Sequence, residues 1–350
     1  MKQLTVQDFG TLKNGEKAHL YIMENDRGTS AAVTDYGAAL VNLRTPDKNG
    51  TLLDVVLGFD DVSGYENGTE CFGASVGRSA NRIGGASIEI NGIIYKLAEN
   101  DHGNNLHSGP DYYFKRMWTM AGSGDDHVTF VLHSPDGDQG YPGALDMYVT
   151  YTLDEENGIT VHYESVPDKD TVINMTNHSY FNLNGQGSGT ALGHTLTLDS
   201  DFFTPADGEA IPTGEILPVD DTPMDFRTGR VLGADIDSDY EALRLGGGYD
   251  HNWILKTEGS RFIKVAELAA DKSGIIMEMY TDRPGVQIYT ANFLEGSTGK
   301  GGACYRSRDA VCLETHFYPD AVHHENFPGP VCLAGEKYDT RTMYRFRTDR

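Results

Sequence analysis

Basic residues are scarce in this chain. Its 350 residues carry 28 Lys and Arg against 52 Asp and Glu, a formal charge of −24. Nucleic acid and anionic bilayers are gripped by clustered Lys and Arg, so neither is an expected partner. A highly charged anionic substrate would need a local basic pocket set against that total. Long apolar runs are missing as well: nothing approaches the roughly 18 residues of a membrane span. The N-terminal stretch lacks an apolar core of signal-peptide length. A cytoplasmic protein with no membrane contact is expected. The four cysteines, Cys71, Cys304, Cys312 and Cys332, show no C-x-x-C spacing, which removes the signature of a zinc knuckle or redox pair. Buried free thiols are the expectation for them. Helical periodicity is also hard to find. No segment keeps apolar residues at i, i+3, i+4 and i+7 over three turns, and 41 glycines interrupt any attempt.

Turn chemistry is what the chain has in quantity. Asn-Gly occurs six times, at 14, 49, 67, 91, 157 and 184, and Asp-Gly at 136 and 207. Flanked by alternating apolar residues, Asn-Gly marks a hairpin, because both central residues of a type I′ turn need positive φ. Ser87–Ile90, Asn91-Gly92 and Ile93–Lys96 fit that template. Met147–Leu153 and Ile159–Tyr163 form a second pair around Gly158. Gly335–Phe346 reads as a closing strand, and short helical turns are expected near Asp60–Asn67 and Pro319–Glu325. With 39% hydrophobic residues there is ample core material. The fold expected is all-β, a large antiparallel β-sandwich with few short helices. No repeat or composition break divides it, so residues 1–350 read as a single domain.

Val311–Pro328, VCLETHFYPDAVHHENFP, is the stretch with most chemistry. Val311, Leu313, Thr315 and Phe317 share one face of a strand; Cys312, Glu314, His316 and Tyr318 share the other. A carboxylate and imidazoles in an apolar frame make a proton-transfer site. In NMTNHSYFNL (174–183), Ile173, Met175, Phe181 and Leu183 alternate on one face. Asn174, Thr176, His178, Tyr180 and Asn182 occupy the other. A face of amides, hydroxyls and imidazole suits a hydroxyl-rich ligand, whereas a merely solvated sheet face normally carries Lys, Glu and Thr.

Three further segments are more ambiguous. GRSANRI (77–83) brings Arg78 and Arg82 close together, either for a ligand or as structural ion pairs. His107, in the loop NNLHSG (104–109), has the idle solvent-exposed histidine as its plain alternative. In LGGGYDHNWI (245–254) no strand–Gly–helix context supports a nucleotide loop. Asp250, His251 and Asn252 beside Trp253 suit sugar recognition, with the aromatic against the apolar ring face. A Gly-rich turn with a core Trp is the rival reading. His316, His323 and His324 make a poor metal set, since adjacent strand residues point apart and no third ligand stands at a recognisable spacing.

Together these segments, with PGVQIYTANF (284–293) and LETHFYPDA (313–321), resemble the aldose 1-epimerase (galactose mutarotase) family over most of the chain. The resemblance implies a galactose mutarotase-like supersandwich with its active site on a concave sheet face. It implies Glu314 as general base and His178 as general acid, with Arg82, His107, Asp250, Asn81 and Tyr180 as substrate-binding residues. The implied substrate is a monosaccharide such as galactose or glucose. No cofactor and no metal are implied, and the protein would be a monomer or homodimer. His316 stands where the family usually has Gln. Partial burial is expected to raise the Glu314 pKa and an opposing His178 imidazolium to lower it, which couples the two titrations. The competing readings are a hexose-6-phosphate 1-epimerase, a non-catalytic carbohydrate-binding protein and a glycoside hydrolase with paired carboxylates.

Overall fold

The computed structural model describes residues 1–258 and 261–348. Two antiparallel sheets packed face to face dominate it. The larger has nine strands, in the spatial order Thr119–Ser123, His127–Ser134, Leu145–Leu153, Gly158–Ser165, Tyr338–Thr348, Ile275–Thr281, Ile263–Ala269, Thr195–Leu198 and Arg230–Val231. The smaller has six: Tyr180–Phe181, Val311–His316, Gly285–Tyr289, Asp250–Ile254, Phe202–Thr204 and Leu217–Pro218. A five-stranded meander, Thr5–Thr11 through Leu52–Asp54, covers one end. The closing strand is not peripheral: Tyr338–Thr348 is hydrogen-bonded between Gly158–Ser165 and Ile275–Thr281 in the larger sheet.

Alternation in sequence becomes layering in space. Phe181, Val286, Ile288, Val311 and Leu313 of the smaller sheet pack against Met147, Val149, Val161, Met277, Met279 and Tyr344 of the larger. Each such side chain, fully buried, contributes roughly 1.5–3 kcal/mol. That layer also sets the register. Slipping Val311–His316 by one residue would drive Glu314 into the apolar layer and expel Leu313.

The local readings hold where turn chemistry was clear. Ser87–Ile90 pairs with Ile93–Lys96 through Asn91 and Gly92, both at positive φ. Leu145–Leu153 pairs with Gly158–Ser165. Helices form at Val62–Asn67, where the Asp61 side chain caps the first turn, and as a 3-10 turn at Ala321–His323. A second α-helix, Glu241–Gly246, was not expected; six residues are too few for a 3.6-residue period to show. Among the described residues no helix is long and apolar enough to cross a membrane. All four cysteines are free. The expectation of burial fits Cys312 but not Cys304, which lies exposed on a short hairpin, while Cys71 and Cys332 are partly exposed.

Candidate active site

The smaller sheet turns its polar face into a cavity of about 280 Å³, near the lower end of the roughly 300–1,000 Å³ of small-molecule sites. Its register brings the chemistry together. Gln287 is paired with Glu314, and Asp250 with Tyr289. Tyr180 is paired with Cys312, which sets His178 beside Glu314. Two loops complete the walls, one carrying Asn81 and Arg82, the other His107. The seven residues that the family resemblance implies (Asn81, Arg82, His107, His178, Tyr180, Asp250 and Glu314) line this one cavity.

His178 Nε2 lies 3.4 Å from Glu314 Oε1. Both groups are buried. The imidazole is stacked on Tyr180 (centroids 5.0 Å, planes 23° apart) and meets His107 edge-on at 5.4 Å, so its orientation is fixed by packing. Burial pushes Glu314 well above the usual carboxylate range; the nearby Asp250 adds to this and Arg82 opposes it. Burial pushes His178 down to about 4. Attraction at 3.4 Å favours the charged forms of both. Desolvation opposes this and favours a neutral carboxyl beside a neutral imidazole, so the two titrations are coupled. Glu314 Oε2 has no hydrogen-bond partner among the described residues, which leaves one carboxyl oxygen for a ligand.

The loop wall is tightly determined. Asn81 and His107 both adopt left-handed backbone, at φ 57° and 54°, which costs about 1–3 kcal/mol for such residues unless the surroundings enforce it. Here the Asn81 N–H donates to His107 Nδ1, and the His107 N–H to the Asn81 carbonyl. Arg82 Nε donates to Asp101 at 2.7 Å, holding the guanidinium at the cavity edge. Opposite, Gln287 Nε2 donates to Asp250 Oδ1 at 2.8 Å. Asp250 is raised by burial, with Arg82 and Gln287 opposing.

Several expected ligand groups are structural instead. Arg78 is fully buried and points away from the cavity, donating to Ser134 and to the carbonyls of Pro135, Pro142 and Gly143. Trp253 is a core residue that donates to the Met224 carbonyl. Asn174 is bonded to the Phe317 backbone, and Asn182 to the carbonyls of Gly189 and Asp309. His316 is buried behind the cavity, while His323 and His324 both meet Asp320. The three histidines form no cluster. The one group of three possible metal ligands among the described residues is His162, Glu164 and Asp339 on the outer sheet. Lys337 already ion-pairs both of its carboxylates.

Sequence reasoning also missed Tyr289 on the cavity wall and Gln287, which supports Asp250 from behind it. Gln287 and Tyr289 share a face of Gly285–Tyr289 and were findable by the same alternation as Glu314. Tyr289 accepts the Phe293 N–H and stacks with the Phe293 ring, which is 64% exposed at the rim. Glu70 and Cys71 reach the cavity from a loop with no periodic signal. Burial raises the Cys71 thiol to about 12, which disfavours its thiolate form.

A β-sandwich with a cavity on one sheet face, lined by a buried Glu–His contact and by Arg, Asp, Asn and Tyr side chains, has the form of a site for a small polar ligand. Residues 19–345 match the aldose 1-epimerase family. The chain is 42% identical over 316 residues to galactose mutarotase of Bos taurus and 40% over 315 residues to that of Homo sapiens, in each case covering 90% of both chains. The solved GalM/aldose epimerase homologue from C. elegans is 30% identical, with a TM-score of 0.88 over 95% of this chain and 100% of that one. The protein belongs to the aldose 1-epimerase family, and is an isomerase.

Proposed function

We propose that the protein interconverts the α and β anomers of free aldohexoses of the galactose and glucose kind, with Glu314 as general base and His178 as general acid. The observation that carries this reading is the 3.4 Å approach of the two groups on one cavity wall. Opening a hemiacetal requires a proton to leave O1 as another reaches O5, so that neither charge builds up fully. The Glu314 carboxylate takes the O1 proton, the His178 imidazolium protonates O5, and the C1–O5 bond breaks. The aldehyde then turns about C1–C2. Closure on the other face returns the O5 proton to His178, while Glu314 gives its proton to the new O1. A positioned acid or base contributes about 10²–10⁴-fold each.

The cycle conserves its protons. The ionic form that opens the ring and the neutral form left after opening hold the same single proton. Burial favours the neutral form; sugar hydroxyls donating to Glu314, with Arg82 near it, favour the ionic one. Arg82, His107, Asp250, Asn81 and Tyr180 hold the remaining hydroxyls. A phosphorylated hexose fits less well. Arg82 is engaged by Asp101, Arg78 lies elsewhere, and Glu70, Asp250 and Glu314 make the cavity acidic. We read the protein as cytoplasmic, a monomer or homodimer, built as one sandwich unit.

The test is polarimetry on freshly dissolved α-galactose, α-glucose and glucose 6-phosphate. Relaxation should quicken in proportion to enzyme for the free sugars and much less for the phosphate. Sugar binding without faster relaxation would identify a binding protein instead.

A further inference from the structure

Beside the Glu314–His178 contact, three polar atoms have no well-aligned hydrogen-bond partner among the described residues: Thr176 Oγ1, His178 Nδ1 and His316 Nε2, the His178 ring lying near its own backbone carbonyl. Their residues are 1%, 5% and 0% exposed. Buried polar groups are nearly always bonded to protein or ordered water, so three orphans at one place point to a shared partner.

The strand Thr176–His178 is hydrogen-bonded to Ala74–Val76 and lies along Val311–His316 on its other side. Tyr180 is paired with Cys312, His178 meets Glu314, and Asn174 is bonded to Phe317. Carried two residues on from His178 and Glu314, this antiparallel arrangement sets Thr176 beside His316. It also makes His178 and His316 diagonal neighbours on one face, a separation that aromatic side chains span.

His316 can offer only an acceptor at this point. Its Nδ1 is bonded to the Phe317 carbonyl and therefore carries the hydrogen, leaving a lone pair on Nε2. Burial keeps the ring uncharged down to about 4, and Arg283 further disfavours a charge on it. The other titratable groups around it are His178 and His107, both sensitive to its charge, and Glu314 two residues before it.

We propose that His316 is a positioning residue: with Thr176 Oγ1 it holds one buried water that accepts the Nδ1–H of His178. That water has three polar partners, the usual number for a buried site. The arrangement fixes the tautomer in which His178 Nε2, facing Glu314 and the sugar, is the nitrogen that exchanges protons. When the imidazolium forms, its second N–H already has an acceptor. The proposal rests on the acid–base reading of Glu314 and His178.

Nitrogen-15 NMR of the imidazoles at neutral pH tests it without turnover. Wild type should show His178 as the Nδ1–H tautomer. H316L should move the population toward Nε2–H, whereas H316Q, whose Oε1 is an acceptor, should retain it. In polarimetry H316L should lower kcat roughly 10–100-fold, the loss expected when a buried donor is left unsatisfied, with KM nearly unchanged and the acidic limb at lower pH. H316Q should stay within a few-fold of wild type. An Nε2–H tautomer in wild type, a wild-type kcat and acidic limb in H316L, or equal damage in both variants overturns the proposal. Should H316L fail to fold, the wild-type tautomer and H316Q decide. The tautomer separates this failure from that of the acid–base reading, which would show instead as full activity in E314Q.

Discussion

The backbone N–H of Asn81 donates to Nδ1 of His107 over 3.1 Å. A ring that accepts at Nδ1 carries its neutral proton on Nε2. Burial, then the neighbouring His178, holds the His107 pKa well below the usual value. In the proposed mechanism His107 therefore acts on the sugar as a neutral Nε2–H donor. H107A should lose about 1–3 kcal/mol in kcat/KM, the scale of one buried hydrogen bond. Both limbs of its pH–rate profile should stay in place, as steady-state polarimetry across pH would show.

Arg82 differs because its charge acts on Glu314. The guanidinium favours the carboxylate, so removing it makes protonation of the pair easier. In R82M both limbs of the kcat/KM profile should move to higher pH. D101N leaves the charge but releases its 2.7 Å anchor; KM should rise with the limbs unmoved.

Gln287 should act on binding through Asp250. Loss of its 2.8 Å hydrogen bond in Q287L removes support for the Asp250 carboxylate, worth about 1.5–3 kcal/mol for a bond to a charged group. The expected outcome is a raised KM with a smaller change in kcat, and titration calorimetry with galactose should show the same loss of affinity.

The parity of strand residues carried most of what could be read in advance. It placed Glu314 and His178 on polar faces, and the pairing of Tyr180 with Cys312 then brought the two strands together. Applied consistently, it would also have kept Trp253 away from the sugar. Asp250 and Trp253 are three apart on one strand and so face opposite ways. It would have added Gln287 and Tyr289 as well. Arg78 and Arg82 show where local reasoning stops. Only the tertiary fold delivers Ser134, Pro142 and Gly143 to surround one guanidinium while leaving the other at the cavity. Glu70 and Cys71 sit on a loop whose course no period records. The proton balance was legible only in part. A rise for Glu314 followed from burial, but full burial of His178, which disfavours its resting imidazolium, needed the coordinates.

Stability should carry its own pH signature through His194. This buried ring accepts the Leu183 N–H at Nε2 and is held down to about 4 from 6.5 by burial. The folded state binds fewer protons than the unfolded one between these values, so stability falls as pH drops from 6.5 and levels off below 4. At about 1.4 kcal/mol per pKa unit the effect is on the order of 3 kcal/mol. Glu314 and Asp250 are raised and run the opposite way, so the contribution is read as a difference. Urea unfolding at pH 7 and pH 4.5 should show a smaller acid-induced loss in H194Q than in wild type.

In the proposed mechanism Glu314 and His178 work as one unit, so their contributions should not add. Polarimetry on fresh α-galactose with E314Q, H178N and the double variant tests this directly. Each single variant should lose roughly 10²–10⁴-fold in kcat, and the double little more than the worse single. E314Q relaxing the sugar at the wild-type rate would contradict the account.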